Sequence, residues 1–512
     1  MFTQIHIPQR NLTLKQPIGL FINNEFVKSE NEEKIETINP STGEVITSFY
    51  SGSFADVDRA VKAASDAYEN VWKHTSPAER SLLLMKLADL IERDKCTLAA
   101  LETLDSGKPY HSNAMLDLEQ IIYLTRYFAG ATDKFTTGET IPISEEKFCY
   151  TLMAPYGVVG QIVPWNYPLA MASWKIQGCL ATGNTIVLKP AENTSLSVLY
   201  LAQLFVEAGF PPGVLNIIPG NGAVVGNALG KHPGIEKISF TGSTSVGLGI
   251  LKASAESNMK DVTLECGGKS PAVIFEDANL EQAIEWTAKG IFFNSGQNCT
   301  ANSRIYVHYS NYDKFLELFT KHIKEKWGFG KNFDPFDEDC TIGPVISKKQ
   351  FDKISEFLKG EMPHPETPYK LSYTCKVHKV LDDPPESNKG FFIPPTIFTS
   401  VPYDSPWNTE EIFGPAVTVT PFETYDEVIK LANNTSYGLA SAIFTENIRT
   451  ANKFINDIQA GTVWVNSSND PEMSVPFGGY KMSGIGRELG KSGVETYCQT
   501  KAVHMSLAQP GS

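Results

Sequence analysis

The chain has 512 residues, of which 42% are hydrophobic and 20% are charged, a balance that is typical of globular proteins and excludes a disordered or collagen-like chain. At roughly 100 to 200 residues per domain, this length predicts about two or three domains with ample buried cores. The 44 basic and 58 acidic residues leave a net charge of -14, which disfavours nucleic acid and anionic membrane surfaces as partners.

The cysteines and the first residues indicate a reducing compartment. The cysteines are scattered without a C-x-x-C pair, so they give no metal or redox signature, and reduced thiols are expected. No stretch reaches the roughly 18 apolar residues of a membrane span. The opening MFTQIHIPQRNLTLKQ lacks both the apolar core of a signal peptide and an Arg-rich presequence. We therefore expect a cytoplasmic protein.

Helical signals mark the first hundred residues. Ser76, Pro77 and Glu79 form the pattern of a capping box with proline in the first turn. An apolar stripe with helical spacing follows, and it consists of Leu83, Leu87, Leu90 and Ile91. The sequence predicts a helix here.

From Tyr156 onward, short apolar runs alternate with helical segments. The runs are VVGQIV, TIVL, VLNII, KISF and VTLE, and the helical segments between them lie at 170–181, 195–208, 223–229 and 246–257. This alternation predicts an α/β fold, in which crossover helices connect the strands of a parallel sheet.

After Cys299 the alternation resumes less regularly. The strands are predicted at RIYV, PAVTVT, ASAIF and TVWV, and the helices near 312–326, 425–432 and 448–458. A second α/β unit is therefore expected. The segment 361–389 is rich in proline and charge and is interpreted as a surface excursion.

Three glycine-containing turns are candidates for a phosphate site, because ligands of such sheets bind at the carboxyl ends of the strands. The tripeptide GKS at 268–270 ends like a P-loop, but Thr263 stands where that motif needs glycine. GNGAVVG at 220–226 exceeds the G-x-G-x-x-G spacing by one residue and is interpreted as a plain turn. FTGSTSVG at 240–247 is either a well-capped strand-to-helix turn or a pyrophosphate site at a helix N-terminus.

Two residues are candidates for a nucleophile and its base. Cys299 lies in the polar, glycine-containing loop FNSGQNC, where a thiolate can be exposed and activated, although most single cysteines are inert core residues. Glu265 ends an apolar strand before two glycines, so it is either a base with a raised pKa or a structural acid. No histidine has a comparable context, and His308 only continues the RIYV strand, so a Cys/His hydrolase lacks support.

Seven segments occur in one order between residues 161 and 488: QIVPWNYP, KPAE, FTGSTSVG, LECGGKSP, SGQNCTA, EEIFGP and PFGGYKMSGIGRE. In this combination the chain resembles the aldehyde dehydrogenase superfamily, and most closely its cytosolic fungal members, from about residue 20 to 505. The resemblance implies an α/β aldehyde dehydrogenase fold. This fold has a Rossmann-like NAD-binding domain, a second α/β catalytic domain and a β-hairpin oligomerisation arm.

The resemblance also implies a reaction, the oxidation of an aldehyde to the carboxylic acid with NAD+ through a cysteine thiohemiacetal and a thioester. Cys299 matches the nucleophile. Asn166 and the Cys299 backbone N–H match the oxyanion hole. Glu265 matches the general base that activates water to hydrolyse the thioester. Lys175 and Glu488 match residues proposed to assist proton movement.

The implied cofactor is NAD. Lys189 and Glu192 match the pair that holds the adenosine ribose, where a carboxylate accepts hydrogen bonds from both hydroxyls and repels a 2'-phosphate. NAD is therefore expected in preference to NADP. The other matched cofactor contacts are Trp165, Gly242 and Ser243 at the pyrophosphate and Glu411 and Phe413 at the nicotinamide ribose.

The substrate pocket is implied in outline. The matched walls of the aldehyde tunnel are Tyr167, Trp174, Phe293 and Phe477, so an apolar funnel for short aliphatic or aryl aldehydes is expected. Glu119, Asp470 and Glu472 are a candidate acidic rim that would attract cationic amino-aldehydes such as 3-aminopropanal. An ordinary solvated acidic surface is the alternative.

By the resemblance, the NAD-binding domain comprises 1–134 and 155–267, the catalytic domain 268–481, and the arm 135–154 and 482–512. We expect the arm segment 135–154 to pair with the alternating run at 500–507. An exposed edge of this kind invites pairing with another subunit, so a homodimer or homotetramer is expected.

Two other classes of protein remain open. A cofactor-independent thiol esterase would use Cys299 and Glu265 but has no need of Lys189, Glu192 and the GSTSVG turn. A non-catalytic relative would lack at least one of Cys299, Glu265 and Asn166, and the sequence retains all three.

Overall fold

A computed structural model describes residues 1–363 and 372–508 of the chain. Its α-helices are α1 (Phe54–Asn70), α2 (Pro77–Arg93), α3 (Lys95–Ser106), α4 (Met115–Ala131), α5 (Pro168–Ala181), α6 (Leu196–Ala208), α7 (Asn227–Lys231), α8 (Thr244–Ala255), α9 (Leu280–Phe292), α10 (Tyr312–Lys326), α11 (Lys348–Phe357), α12 (Pro406–Thr409), α13 (Tyr425–Asn433), α14 (Ile448–Asp457) and α15 (Gly490–Glu495). Within these ranges, every helix is too short or too polar to cross a membrane.

The strands of the first half are β1 (Phe2–Ile7), β2 (Leu12–Pro17), β3 (Leu20–Ile22), β4 (Glu25–Val27), β5 (Lys34–Ile38), β6 (Val45–Tyr50), β7 (Thr140–Ser144), β8 (Lys147–Pro155), β9 (Val158–Ile162), β10 (Thr185–Lys189), β11 (Leu215–Ile217), β12 (Lys237–Thr241) and β13 (Asp261–Glu265). Those of the second half are β14 (Pro271–Ile274), β15 (Arg304–His308), β16 (Glu361–Pro363), β17 (Ser372–Thr374), β18 (Lys376–Lys379), β19 (Thr396–Thr399), β20 (Ala416–Phe422), β21 (Ala440–Phe444), β22 (Thr462–Val465), β23 (Gly484–Ile485) and β24 (Cys498–Ser506).

Helix α2 begins as the sequence predicts. Ser76 Oγ accepts a hydrogen bond from the Glu79 N–H at 3.3 Å, and Glu79 Oε2 accepts one from the Ser76 N–H at 2.8 Å. Pro77 occupies the first turn, where a backbone N–H would have no partner within the helix, so its lack of an N–H costs no hydrogen bond. Leu87 and Ile91 are fully buried, so the predicted stripe faces the core.

The alternating runs form the predicted parallel sheet. It has eight strands in the order β23-β13-β12-β9-β10-β11-β3-β4, and the five central strands from β13 to β11 are parallel. Helices α2, α4, α5 and α6 pack on one face of this first sheet, and α1, α7 and α8 pack on the other. Because the central strands are parallel, their carboxyl ends meet at one edge, where a ligand site is expected.

The second α/β unit is also confirmed. Its sheet has seven strands in the order β18-β19-β20-β15-β14-β21-β22, with α9 and α10 on one face and α13 and α14 on the other. In the segment 361–389, interpreted as a surface excursion, Lys376–Lys379 is mostly exposed and pairs antiparallel with β19 as the edge strand β18 of this sheet. Residues 364–371 of that segment lie outside the described residues.

A three-stranded sheet in the order β24-β8-β7 stands apart from both larger sheets. The C-terminal run pairs with the hairpin as predicted, and Val503 lies opposite Tyr150 in the antiparallel register. The sequence assigned all of 482–512 to the arm, but the first residues of this interval belong to a different sheet. Gly484–Ile485 pairs with β13 at the edge of the first sheet, and only the chain from Cys498 onward joins the three-stranded sheet.

Candidate active site

A cavity of about 310 Å³ lies where the carboxyl ends of β9, β12 and β13 face the second α/β unit. Its walls bring together most of the sequence-predicted site residues, although these are far apart in the chain. Those in the walls are Trp165, Asn166, Tyr167, Trp174, Gly242, Ser243, Glu265, Phe293, Cys299, Glu411, Phe413, Phe477 and Glu488. Lys175, Lys189 and Glu192 are not in the walls.

Cys299 lies in the loop between α9 and β15, and its side chain is in the cavity wall. Asn294 and Ser295 of this loop have φ of 51° and 57°, a left-handed conformation that non-glycine residues seldom adopt. Burial raises the pKa of the Cys299 thiol, and Glu411 and Glu265 raise it further. Cys299 is partly exposed in this wall, and its raised pKa favours the thiol form, so a base is needed to remove its proton.

Asn166 follows β9 and lies in the same cavity, with only 6% of its surface exposed. Its Nδ2 donates to the Gln297 backbone oxygen at 2.9 Å, two residues before Cys299. The Asn294 Nδ2 donates to the Asn166 backbone oxygen at 2.8 Å. The amide is therefore held against the cysteine loop, and one of its two N–H groups remains for a ligand.

Glu265 is the last residue of β13, and its carboxylate lies in the cavity wall. Both of its oxygens are buried and accept no hydrogen bond from the described residues. Burial raises the pKa of Glu265 well above its usual range, the negative charge of Glu488 raises it further, and Lys175 opposes the shift. A buried carboxylate without fixed partners is suited to take up and release a proton.

Lys175 and Glu488 form a buried ion pair behind the cavity. Ser239 Oγ donates to Glu488 Oε1 at 3.2 Å, and the Tyr497 hydroxyl donates to Ser239 Oγ at 3.2 Å. Lys175 lies on α5 and Glu488 lies before α15, so the pair joins two elements that are distant in the sequence. The two residues matched to proton movement are thus in direct contact with each other.

The GSTSVG turn connects β12 to α8 at the cavity. Ser243 is the N-cap of α8, but its side chain makes no capping hydrogen bond, so the first N–H groups of this helix are left for a ligand. The buried Thr241 hydroxyl also lacks a partner among the described residues. A Cβ on Gly242 would lie 2.7 Å from the Phe240 ring, so the turn requires glycine. These features fit a pyrophosphate.

Lys189 and Glu192 lie at the carboxyl end of β10, one strand away from β9. Lys189 Nζ lies 3.4 Å from Glu192 Oε2 and donates to the Pro190 oxygen at 3.0 Å. The Gly222 N–H donates to Glu192 Oε1 at 2.5 Å. The GNGAVVG segment therefore holds the glutamate, while the Glu192 side chain stays 35% exposed and accessible to a polar ligand.

Glu411 and Phe413 approach the cavity from the second unit. Glu411 Oε1 accepts a hydrogen bond from the Gly268 N–H at 2.9 Å, so GKS at 268–270 serves this contact and not a P-loop. Burial raises the pKa of Glu411 to about 7. The Phe413 ring meets the Trp165 ring edge to face, with centroids 5.2 Å apart.

Two residues of α11 that were not predicted from the sequence also line this cavity. Lys353 Nζ donates to the Glu411 backbone oxygen at 2.9 Å, and the buried Gln350 Oε1 has no partner among the described residues. Nothing in the local sequence marks them, because KKQFDKISEF has the pattern of an ordinary amphipathic helix.

The four aromatic residues predicted for the substrate tunnel are all in the cavity wall. The Trp174 and Phe477 rings are 5.2 Å apart and nearly perpendicular. Of the three residues of the candidate acidic rim, one is in the cavity wall, and Glu119 and Glu472 are not. Asp470 lines the cavity, whereas Glu119 lies outside it and pairs with Lys95 at 3.8 Å. Lys289 is also in the wall, so the charge around the opening is mixed.

Comparison with known proteins agrees with this geometry. The sequence profile of the Aldehyde dehydrogenase family matches residues 26–503. NAD(P)+ aldehyde dehydrogenase 1 of Saccharomyces cerevisiae is 60% identical over 508 residues, which cover 99% of this chain and 99% of that protein. NAD(P)+ aldehyde dehydrogenase 2 of the same yeast is 59% identical, with the same coverage. The chain therefore belongs to the aldehyde dehydrogenase family.

The solved structures give the same result. The NAD+ complex of aldehyde dehydrogenase from Bacillus cereus superimposes with a TM-score of 0.91 and 44% identity, and the match covers 99% of this chain and 100% of that chain. The predicted fold and reaction class are thereby confirmed. The protein is an aldehyde dehydrogenase, an NAD(P)-linked oxidoreductase.

Proposed function

We propose that this enzyme oxidises an aldehyde to the carboxylic acid through a covalent intermediate on Cys299. One observation carries the proposal: Cys299, Asn166 and Glu265 line the same cavity as the turn before α8, whose N-cap side chain leaves the first helical N–H groups uncapped. A nucleophile, an oxyanion donor and a base therefore converge beside a cofactor site.

The reaction divides into two steps at Cys299. First, Glu265 removes the thiol proton, the sulfur adds to the aldehyde carbon, and Asn166 Nδ2 donates a hydrogen bond to the oxyanion that forms. NAD+ held by Glu411, Phe413 and the turn before α8 would supply a hydride acceptor, and loss of hydride from this carbon would turn the thiohemiacetal on Cys299 into a thioester. After Glu265 has passed the thiol proton to solvent, it removes a proton from water, which attacks the thioester; the Cys299 thiolate leaves and the acid is released. The Lys175–Glu488 pair would assist proton release.

We propose that NAD is preferred over NADP. The Glu192 carboxylate is accessible beside Lys189 at the end of β10, where the adenosine ribose would bind. A carboxylate accepts hydrogen bonds from two ribose hydroxyls but repels a 2'-phosphate. Trp165, Gly242 and Ser243 would contact the pyrophosphate, and Glu411 and Phe413 the nicotinamide ribose.

Short aliphatic and aryl aldehydes are the proposed substrates. Tyr167, Trp174, Phe293 and Phe477 would contact the apolar part of the aldehyde. With Asp470 and Lys289 both in the wall, apolar contacts rather than charge would set the class of substrate. Amino-aldehydes such as 3-aminopropanal would then have no advantage over neutral aldehydes of similar length.

The proposed domain roles follow the two larger sheets. We assign cofactor binding to 1–134 and 155–267, catalysis to 268–481, and subunit contact to an arm of 135–154 and the chain from Cys498 onward. The arm is the three-stranded sheet, and we propose a homodimer or homotetramer built through it.

The first test is NADH absorbance after the protein and NAD are mixed with acetaldehyde, hexanal, benzaldehyde and 3-aminopropanal. We expect NADH from the neutral aldehydes and none with Cys299→Ala. Cys96→Ala is the matched control, because Cys96 is exposed and is not among the residues that line the cavity. No NADH from folded protein with any aldehyde, or undiminished NADH from Cys299→Ala, would contradict the proposal.

A further inference from the structure

A buried cluster of charges behind Tyr167 takes no part in the reaction described above. Lys108 is completely buried, and its Nζ lies 2.7 Å from Asp117 Oδ2 and 3.8 Å from Glu102 Oε2. The Lys108 Nζ also lies 4.5 Å from the centroid of the Tyr167 ring. Withdrawing so many charges from water carries a large desolvation cost, so the cluster calls for a physical explanation.

The cluster is connected to the elements that carry the site. Glu102 lies on α3, and its Oε1 accepts a hydrogen bond from the Leu169 N–H at 2.8 Å. Glu102 therefore caps the first turn of α5. The chain enters this turn directly from Asn166 and Tyr167. Asp117, on α4, is itself part of the cavity wall.

A chain of hydrogen bonds continues from Asp117 to the cysteine loop. With the Asn113 side-chain amide oriented to match its neighbours, its N toward Asp117 and its O toward Asn294, it donates to Asp117 Oδ2 at 3.1 Å and accepts a hydrogen bond from the Asn294 N–H at 3.2 Å. Asn113 belongs to a π-helical turn, Tyr110–Ala114, which places this side chain one residue out of the regular α-helical phase. Asn294 is thereby bonded through its backbone to the cluster.

The last links lead from Asn294 to the oxyanion donor. The Asn294 Nδ2 donates to the Asn166 oxygen at 2.8 Å and to the Gln297 oxygen at 3.3 Å. The same Gln297 oxygen accepts a hydrogen bond from Asn166 Nδ2 at 2.9 Å. The left-handed backbone of Asn294 is thus fixed on two sides, and this backbone determines where the Gln297 oxygen and the Asn166 amide meet.

We infer that the Lys108–Asp117 pair is a positioning device that fixes the side-chain amide of Asn166. The pair does not touch the reacting atoms and acts through Asn113 and Asn294. This inference rests on the proposed role of Asn166 as the oxyanion donor. Its chemical reason is that a single carboxylate oxygen, Asp117 Oδ2, accepts from both Lys108 and Asn113. An amide at position 117 is uncharged, so the buried Lys108 ammonium would lose its nearest counter-charge and the Asn113 amide would lose a charged acceptor.

The test compares Asp117→Asn with the wild-type enzyme. We expect kcat for aldehyde oxidation to fall about 10- to 100-fold, the effect of a misplaced oxyanion donor, with KM for NAD unchanged. Alkylation of Cys299 by iodoacetamide should keep its wild-type rate, because that displacement forms no oxyanion. A crystal structure of the variant should show that the Asn166–Gln297 hydrogen bond has been lost.

Two further variants serve as an independent test and as a control. Asn113→Ala leaves the ion pair intact and removes only the link to Asn294, so it should reproduce the loss of kcat even if Asp117→Asn folds poorly. Asp56→Asn is the matched control: this aspartate is equally buried, pairs with Arg59 at 3.1 Å and caps α1 far from the cavity. It should lower the melting temperature and leave kcat unchanged.

Wild-type kcat in Asn113→Ala, together with an unmoved Asn166 in its crystal structure, would overturn the inference and leave the cluster a purely stabilising role. Failure of the wild-type enzyme to form NADH is a separate outcome, since it contradicts the proposed function. The crystal structures would still decide whether the pair positions Asn166.

Discussion

Two carboxylates of the cavity, Glu265 and Glu411, have raised pKa values for the same reason, burial, but they differ in their hydrogen bonds. Glu411 accepts a backbone hydrogen bond, whereas Glu265 accepts none from the described residues. A group that is fixed by a hydrogen bond is suited to hold a ligand, and one that is free is suited to exchange protons. This difference supports the assignment of Glu265 as the base and Glu411 as a binding residue.

The first prediction concerns Glu265→Gln. A base acts only when it is deprotonated, so a raised pKa moves the acid limb of the wild-type rate profile to higher pH. We expect the variant to lose steady-state turnover by about 10²- to 10⁴-fold and to lose this acid limb. The measurement is kcat as a function of pH.

Glu411→Gln is the matched control for the first prediction. It should raise KM for NAD and keep the acid limb. A Glu265→Gln variant with wild-type kcat at every pH would exclude Glu265 as the base.

The second prediction concerns cofactor choice. Glu192→Gln keeps an acceptor oxygen but removes the negative charge that faces a 2'-phosphate. We expect kcat/KM for NADP to rise about 10-fold, which corresponds to ~1.4 kcal/mol of relieved repulsion. Glu207→Gln, which removes an exposed charge that pairs with Arg93 on the surface, is the control. An unchanged ratio of NADP to NAD activity would contradict the proposed role of Glu192.

The sequence indicated chemistry where a residue stands out from its neighbours, as Cys299 and Glu265 do. It did not indicate Lys353 or Asn113, because lysine and asparagine are ordinary residues on helices and turns. The loop sequence also does not reveal the raised pKa of the Cys299 thiol, since burial by residues from distant parts of the chain sets that pKa. Such effects of tertiary packing are not encoded in the local motif.

At the scale of elements, apolar runs in alternation with helical segments were sufficient to predict both parallel sheets. The edges were harder to predict. Strand β23 has only two residues, and β18 (KVHK) is polar and lies in a segment rich in proline and charge. Edge strands are held by one neighbour and have little apolar sequence, so their pattern is weak.

The third prediction concerns the N-terminus of α8. Ser245 is exposed in the first turn of this helix, where its N–H group is free for a phosphate oxygen. Ser245→Asp adds a negative charge at that point, so KM for NAD should rise about 10-fold or more with little change in kcat. Thr424→Asp adds the same charge at the N-cap of α13, outside the cavity, and should leave KM unchanged. Equal KM values for the two variants would exclude this turn from cofactor binding.

At the scale of the whole molecule, the three-stranded sheet has no apolar core of its own within the described chain. Phe148 and Leu152 lie on one face of β8 and are 40% and 46% exposed, and Met505 lies opposite Phe148 on β24 and is 44% exposed. An isolated sheet of three strands needs a packed face to be stable. A second subunit would supply that face, which is why oligomerisation is proposed here and not at the larger sheets.

The fourth prediction tests this proposal. The double variant Phe148→Asp/Leu152→Asp places two charges on the exposed face, and burial of unpaired charges in a subunit interface is strongly unfavourable. We expect a smaller assembly than the wild-type oligomer in light scattering coupled to size-exclusion chromatography. Ile448→Asp is the control, because Ile448 is 78% exposed on α14, far from this sheet in the topology.

The fourth prediction is decided by two measurements on the double variant, the molar mass of its assembly and its melting temperature. If the double variant keeps the wild-type mass while its melting temperature is unchanged, this face of the hairpin makes no subunit contact and the arm has been wrongly assigned. If the mass falls and NADH formation persists, each subunit contains a complete active site. That second outcome is the one we expect, because every residue assigned to the reaction, from Asn166 to Glu488, comes from a single chain.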